Sequence, residues 1–185
     1  PPGPAGPKIE DSPRYARALE IYNHLVQARG DFRYPVPTFT MRREVENVAR
    51  IDYNRLEIVL EEKAYEVCES FGADIDAAIA FLLGHELTHY YEKHAWRRGF
   101  VAEYKDLEIG MKLDSLADAA ANETQADYLG GFLAYSAGFG LFNRGDEVIA
   151  KLYKAYSIPD KIPGYPSLAD RQALGKRSAE KLSLL

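Results

Sequence analysis

Seven consecutive residues, Ala77 to Leu83 (AAIAFLL), carry no polar side chain. Asp74 stands where a helix N-cap belongs and Asp76 falls in the first turn, where the helix dipole favours an anion. The spacing predicts a helix that is apolar all round. Such a helix has no face to offer to water, so it must be the buried central helix around which the rest of the chain packs. That helix runs straight into Gly84-His85-Glu86-Leu87-Thr88-His89.

Elements to surround it can be read on both sides. Ser12 followed by Pro13 is a helix start, Tyr15, Leu19, Tyr22 and Val26 follow at helical spacing, and Gly30 sits at the C-terminal stop, so a helix is expected over Pro13–Arg29. The prolines of YPVPTF push the chain to extended geometry. Three short strands are expected at Thr38–Arg42, Asn47–Asp52 and Leu56–Leu60, the last with Leu56, Ile58 and Leu60 alternating as in a half-buried strand, and a short Tyr53-Asn54 turn before it. Glu61–Phe71 returns to helical spacing and Gly72 ends it. Further helices are expected from about Leu116 to Ala137, from Asp146, and from a cap at Ser167. The predicted class is α+β, mostly helical, with a small sheet beside the central helix. Residues 12–185 form one domain in this reading and Pro1–Asp11 a flexible Pro/Gly-rich tail.

At 185 residues and 46% hydrophobic, the chain can bury a real core. Its formal charge of −5 argues against nucleic acid as the main partner. No apolar run approaches the roughly 20 residues of a membrane span. The lone Cys68 excludes an intrachain disulfide and reads as a small buried hydrophobe. The chain begins at Pro1 without an initiator Met, which reads either as a mature end after signal removal or as the remnant of an added leader; on the first reading a periplasmic or secreted protein is expected, with the cytoplasm left open.

His85 and His89 are four residues apart and share a helix face. Two neutral imidazoles so placed can take two corners of a zinc tetrahedron, and Glu86 beside them can take a proton from a water activated there. The competing reading is two core histidines bonded to neighbours. It must explain two imidazoles and a carboxylate on an apolar helix, which are costly to bury without a task. A catalytic zinc takes three protein ligands. The HExxHxxGxxH pattern needs Gly at 92 and His at 95, where this chain has Glu92 and Ala95. His94 lies about 100° round the helix from the required position and reads as a surface histidine. A glutamate from a second helix is the alternative. NETQAD offers Glu123, with Asp127 one turn on to accept a ligand's ring N–H. An acidic stripe facing solvent is the rival, and the Ala- and Gly-rich setting, suited to close helix packing, weighs against it.

HELTH at 85–89 followed by ETQAD at 123–127 resembles the HExxH…ExxAD signature of gluzincin metallopeptidases, most similar to the CAAX-prenyl-protease and HtpX-like family. NVARI at 47–51 is similar to that family's Asn-Ala-x-A segment. YPSLADR keeps the Pro166 and Arg171 of its C-terminal element but has Tyr165 for the histidine. The resemblance spans roughly residues 36–175. It implies a zincin-like fold and a zinc endopeptidase holding one Zn2+ per chain, with His85, His89 and Glu123 as ligands, Glu86 as general base, Asp127 behind the ligands and Arg171 near the site or the substrate. Tyr165 either donates to an oxyanion or packs at a turn. The partner is a peptide or protein substrate, expected to add as a strand along Leu56–Leu60. Two other readings share these ligands: a domain that binds metal and cleaves nothing, and a protease held latent. Tyr90, Tyr91, Trp96, Phe100 and Tyr104 read as core and rim residues.

Overall fold

A computed structural model describes residues 12–103, with side chains as far as Tyr91, together with 130–131, 133–140, 142–159, 167–170 and 172–173. The first helix, α1 (Pro13–Arg29), starts and stops where its caps predict. The Ser12 hydroxyl accepts the Tyr15 N–H at 3.1 Å, and Gly30, at φ 65°, closes the helix by donating its N–H to the Val26 carbonyl. Ala18, Ile21, Tyr22, Leu25 and Val26 form its buried face, the spacing of an amphipathic helix.

Three strands follow: β1 (Thr38–Arg42), β2 (Ala49–Asp52) and β3 (Glu57–Glu61). Their order in the sheet is β1-β3-β2, with β1 parallel and β2 antiparallel to β3. The turn joining β2 to β3 is longer than the expected pair. The Asp52 carboxylate accepts the N–H groups of Asn54 and Arg55, both at 3.0 Å, and Leu56 takes a φ of 52°. Two expectations for β3 are corrected here. It is not half-buried, because all five of its residues are buried. It is not an edge either, because it pairs on both sides and has no main-chain edge left for a peptide. Glu57 lies inside because Arg42 of β1 reaches it at 3.3 Å.

The second helix, α2 (Glu62–Glu69), is shorter than expected: Glu61 still belongs to β3, and Gly72, at φ 60°, opens a 3-10 turn over Gly72–Asp74. The central helix α3 (Ile75–Glu103) follows. Helical residues at 130–131 and 133–134 lead into a π-turn, Tyr135–Phe139, broken at Gly138. A further helix, α4 (Gly145–Ala155), begins beside Asp146 as expected. Ser167 caps a last turn, its hydroxyl accepting the Asp170 N–H at 3.1 Å. Side chains from α1, the sheet, α2, α3 and α4 join in one apolar cluster. The class is α+β and mostly helical, as the sequence predicts. None of the described helices is long and apolar enough to cross a membrane.

Candidate metal centre

From Ala78 to Tyr91 every residue of α3 is buried except Glu86 and His89. Within Ala78–Tyr91, the helix that the apolar run places at the centre of the molecule therefore opens toward solvent at two residues of the motif. Leu87 and Tyr90 are completely buried, and Tyr90 donates its hydroxyl hydrogen to the Pro35 carbonyl. Tyr91 is buried as well, with Arg29 stacked 4.8 Å from its ring centre. Both tyrosines are core residues that fix how α3 is rotated about its axis. Thr88 bonds back to the Gly84 carbonyl at 2.8 Å and keeps its hydroxyl satisfied inside the helix.

His85 is 9% exposed and His89 half-buried. Their rings meet edge to face, with centroids 4.7 Å apart, and their Nε2 atoms lie 3.1 Å from each other. Two neutral ring nitrogens cannot both present a lone pair at that distance without repulsion. Either one carries a proton toward the other, or both lone pairs point at a shared cation. Two nitrogens at zinc, with Zn–N distances of 2.0–2.1 Å, stand roughly 3.3 Å apart along a tetrahedral edge. The pair fits that edge closely. Among the described residues no group of three or more His, Cys, Asp or Glu side chains could hold a metal. Glu123, Asp127, Tyr165 and Arg171 lie outside the described residues, and the side chains of His94, Trp96 and Phe100 do so too.

A second element crosses α3 beside this pair. A Cβ placed on Gly84 would sit 2.6 Å from the Gly130 carbonyl oxygen, and one on Gly130 would sit 2.6 Å from the His85 nitrogen. Main chain thus lies directly on main chain at His85. The expected close packing of the Gly-rich stretch is present at Gly130, seven residues after Glu123 in the sequence. The partner glycine, Gly84, was legible as an oddity, since a glycine inside a helix weakens it unless something must come close.

The sheet borders the same helix. Ala49, Ile51 and Val48 pack against the core cluster, and among the described residues β2 pairs with a strand on one side only. The Glu61 N–H donates to the Val48 carbonyl at 3.0 Å, so Val48–Glu61 is a hydrogen-bonded pair in the antiparallel ladder, and Arg50–Val59 and Asp52–Glu57 follow as the others. Ala49 and Ile51 then turn their main-chain groups away from β3. No protein-family model matches the chain, and none of the curated proteins compared with it is similar.

Proposed function

We propose that the protein is a zinc-dependent metalloendopeptidase of gluzincin type. The observation that carries this reading is the His85–His89 pair, whose Nε2 atoms stand 3.1 Å apart, with His89 and Glu86 the two residues of the stretch Ala78–Tyr91 that are not buried. In this reading His85 and His89 hold Zn2+ through Nε2 and Glu123 is the third ligand. Bound there, zinc supplies Lewis acidity to a water and to the scissile carbonyl. Glu86 takes the proton from the attacking water and passes it to the leaving amine. Asp127 accepts the second ring N–H of a ligand histidine and fixes its tautomer. Tyr165 and Arg171 contact the oxyanion or the substrate.

The peptide lies along β2 rather than β3, because among the described residues β2 retains an outward-facing edge. Ile51 offers both its N–H and its carbonyl to an added strand, and Ala49 its carbonyl. Metal content by mass spectrometry tests the ligand set. About one zinc per chain is expected in the wild type, with strong loss in His85→Ala and in Glu123→Ala. Zinc absent from every metal-supplemented sample would return the two histidines to core residues. Loss in His85→Ala alone would strike out Glu123 and the family assignment with it.

A further inference from the structure

The loop that enters β2 is held in a conformation its residues disfavour. Val48 has a φ of 66°, a region where a β-branched side chain crowds the backbone. It is the centre of a γ-turn, in which the Ala49 N–H donates to the Asn47 carbonyl at 2.7 Å; this hand of γ-turn is rare and strained. Glu61 holds the turn. Its side chain is fully buried, and its carboxylate accepts the Glu46 N–H at 3.0 and 3.3 Å and the Asn47 N–H at 2.9 Å. Its own N–H reaches the Val48 carbonyl at 3.0 Å. One residue therefore grips both sides of the strained peptide.

This grip decides what β2 shows to the outside. With the Ala49 N–H turned back on Asn47, the first complete donor–acceptor set on the outer edge belongs to Ile51. We propose that Glu61 is a positioning residue for the substrate strand. By locking the Asn47–Ala49 turn it sets where the peptide-binding edge of β2 begins and in which register a peptide joins it. The inference rests on the proposed peptidase function with β2 as the docking edge. The ordering of β2 is done in advance of binding, so a peptide does not have to supply it.

The test is peptide binding in a Glu86→Gln background, which leaves the probe uncleaved. The probe is a fluorescein-labelled peptide, the fastest-cleaved member of a degenerate library screened with the wild type. Adding Glu61→Gln is expected to weaken binding about tenfold, ~1.4 kcal/mol, with zinc content unchanged. Adding Val48→Gly to that variant is expected to recover at least about threefold, because glycine takes the positive φ without a Cβ clash. Where Glu61→Gln alone does not fold, the comparison of Glu61→Gln/Val48→Gly with Val48→Gly decides in the same way. Binding within about twofold of the reference, or a loss that tracks zinc or folded fraction, overturns the role of Glu61 and leaves the peptidase reading standing. If the wild type cleaves no library member, the peptidase reading falls and the proposal falls with it.

Discussion

Replacing Gly84 with alanine gives a stability prediction in which two effects oppose each other. Inside a helix, alanine is favoured over glycine by about 1 kcal/mol, so propensity alone makes Gly84→Ala stabilising. The structure says otherwise. The added methyl would lie 2.6 Å from the Gly130 carbonyl oxygen and 3.2 Å from both its carbonyl carbon and its Cα. Ordinary contact begins near 3.4 Å, so the methyl is short by about 0.8 Å. The obstacle is main chain, which has no rotamer to turn aside. The two elements must part, and the core around Leu83 and Leu87 loosens with them. Overpacking of this kind costs typically 1–3 kcal/mol and occasionally more, and the propensity gain offsets only part of it. A net loss of about 1–2 kcal/mol is expected, a fall in Tm of roughly 2–8 °C for a chain of this size. Urea and thermal melts of wild type, Gly84→Ala and Gly130→Ala measure it. Gly130→Ala should behave alike, since its methyl would meet the His85 nitrogen at 2.6 Å. An unchanged or raised Tm in both variants would refute the main-chain contact and with it the fixed placement of His85.

Other consequences can be checked separately. Glu86→Gln should retain zinc and lose most peptidase activity; full activity would sink the proposed base. The Arg33 guanidinium, 2.7 and 2.9 Å from Asp31, holds that carboxyl down to about 2 against an ordinary value near 3.8. A carboxyl lowered in the folded state stabilises above its unfolded value and loses that contribution as pH falls through the folded one. Asp31→Asn should therefore lower Tm at pH 7, with the difference from wild type shrinking as pH falls from about 4 toward 2; a difference as large at pH 2 as at pH 7 would refute the ion pairing. Burial pushes the Cys68 thiol up to about 12, so it should resist a thiol reagent at pH 8 in the native state and react once the chain is unfolded in urea. Native reaction at the unfolded rate would contradict its burial.

What the sequence discloses is what local chemistry decides. The caps of α1, Ser12 and Gly30, act within a few residues of themselves and are found as predicted. The same holds for the apolar run, buried from Ala78, and for the Ser167 cap. The failures are tertiary. Alternation in LEIVL describes a strand with one wet face, yet β3 is covered on both faces and both edges, and the charged Glu57 is admitted by Arg42, fifteen residues earlier. Nothing in the order of residues along β3 announces that partner. Glu61 was equally hidden. It stands at a strand–helix junction and serves main-chain groups, which leave no trace in side-chain patterning. In the candidate site, the helical spacing of His85 and His89 was local and legible. The crossing at Gly130 was half legible, as a small-residue stretch without a known partner.

The two histidines alone do not distinguish a metal site from a hydrogen-bonded pair, since a 3.1 Å separation suits either. Their surroundings give the proposed metal site its argument, and the metal content of the purified protein decides between the two. A pair of core histidines gains nothing from an opening to solvent, whereas α3 is sealed from Ala78 to Tyr91 apart from Glu86 and His89. A structural pair also has no use for a crossing element pressed main chain to main chain against His85, at the expense of a glycine in each partner. A metal shared between two elements does have a use for it, because ligand positions must hold to within about 0.5 Å, and contact between two backbones is less compliant than contact between side chains. In the proposed peptidase, the rigid approach at Gly84–Gly130, the exposure of Glu86 and His89 within the buried stretch Ala78–Tyr91, and the β2 turn held by Glu61 would serve one requirement: to hold a bound peptide and a proton acceptor in fixed relation. The proposal therefore makes demands on the packing at Gly84–Gly130 and on β2, and not on the motif alone.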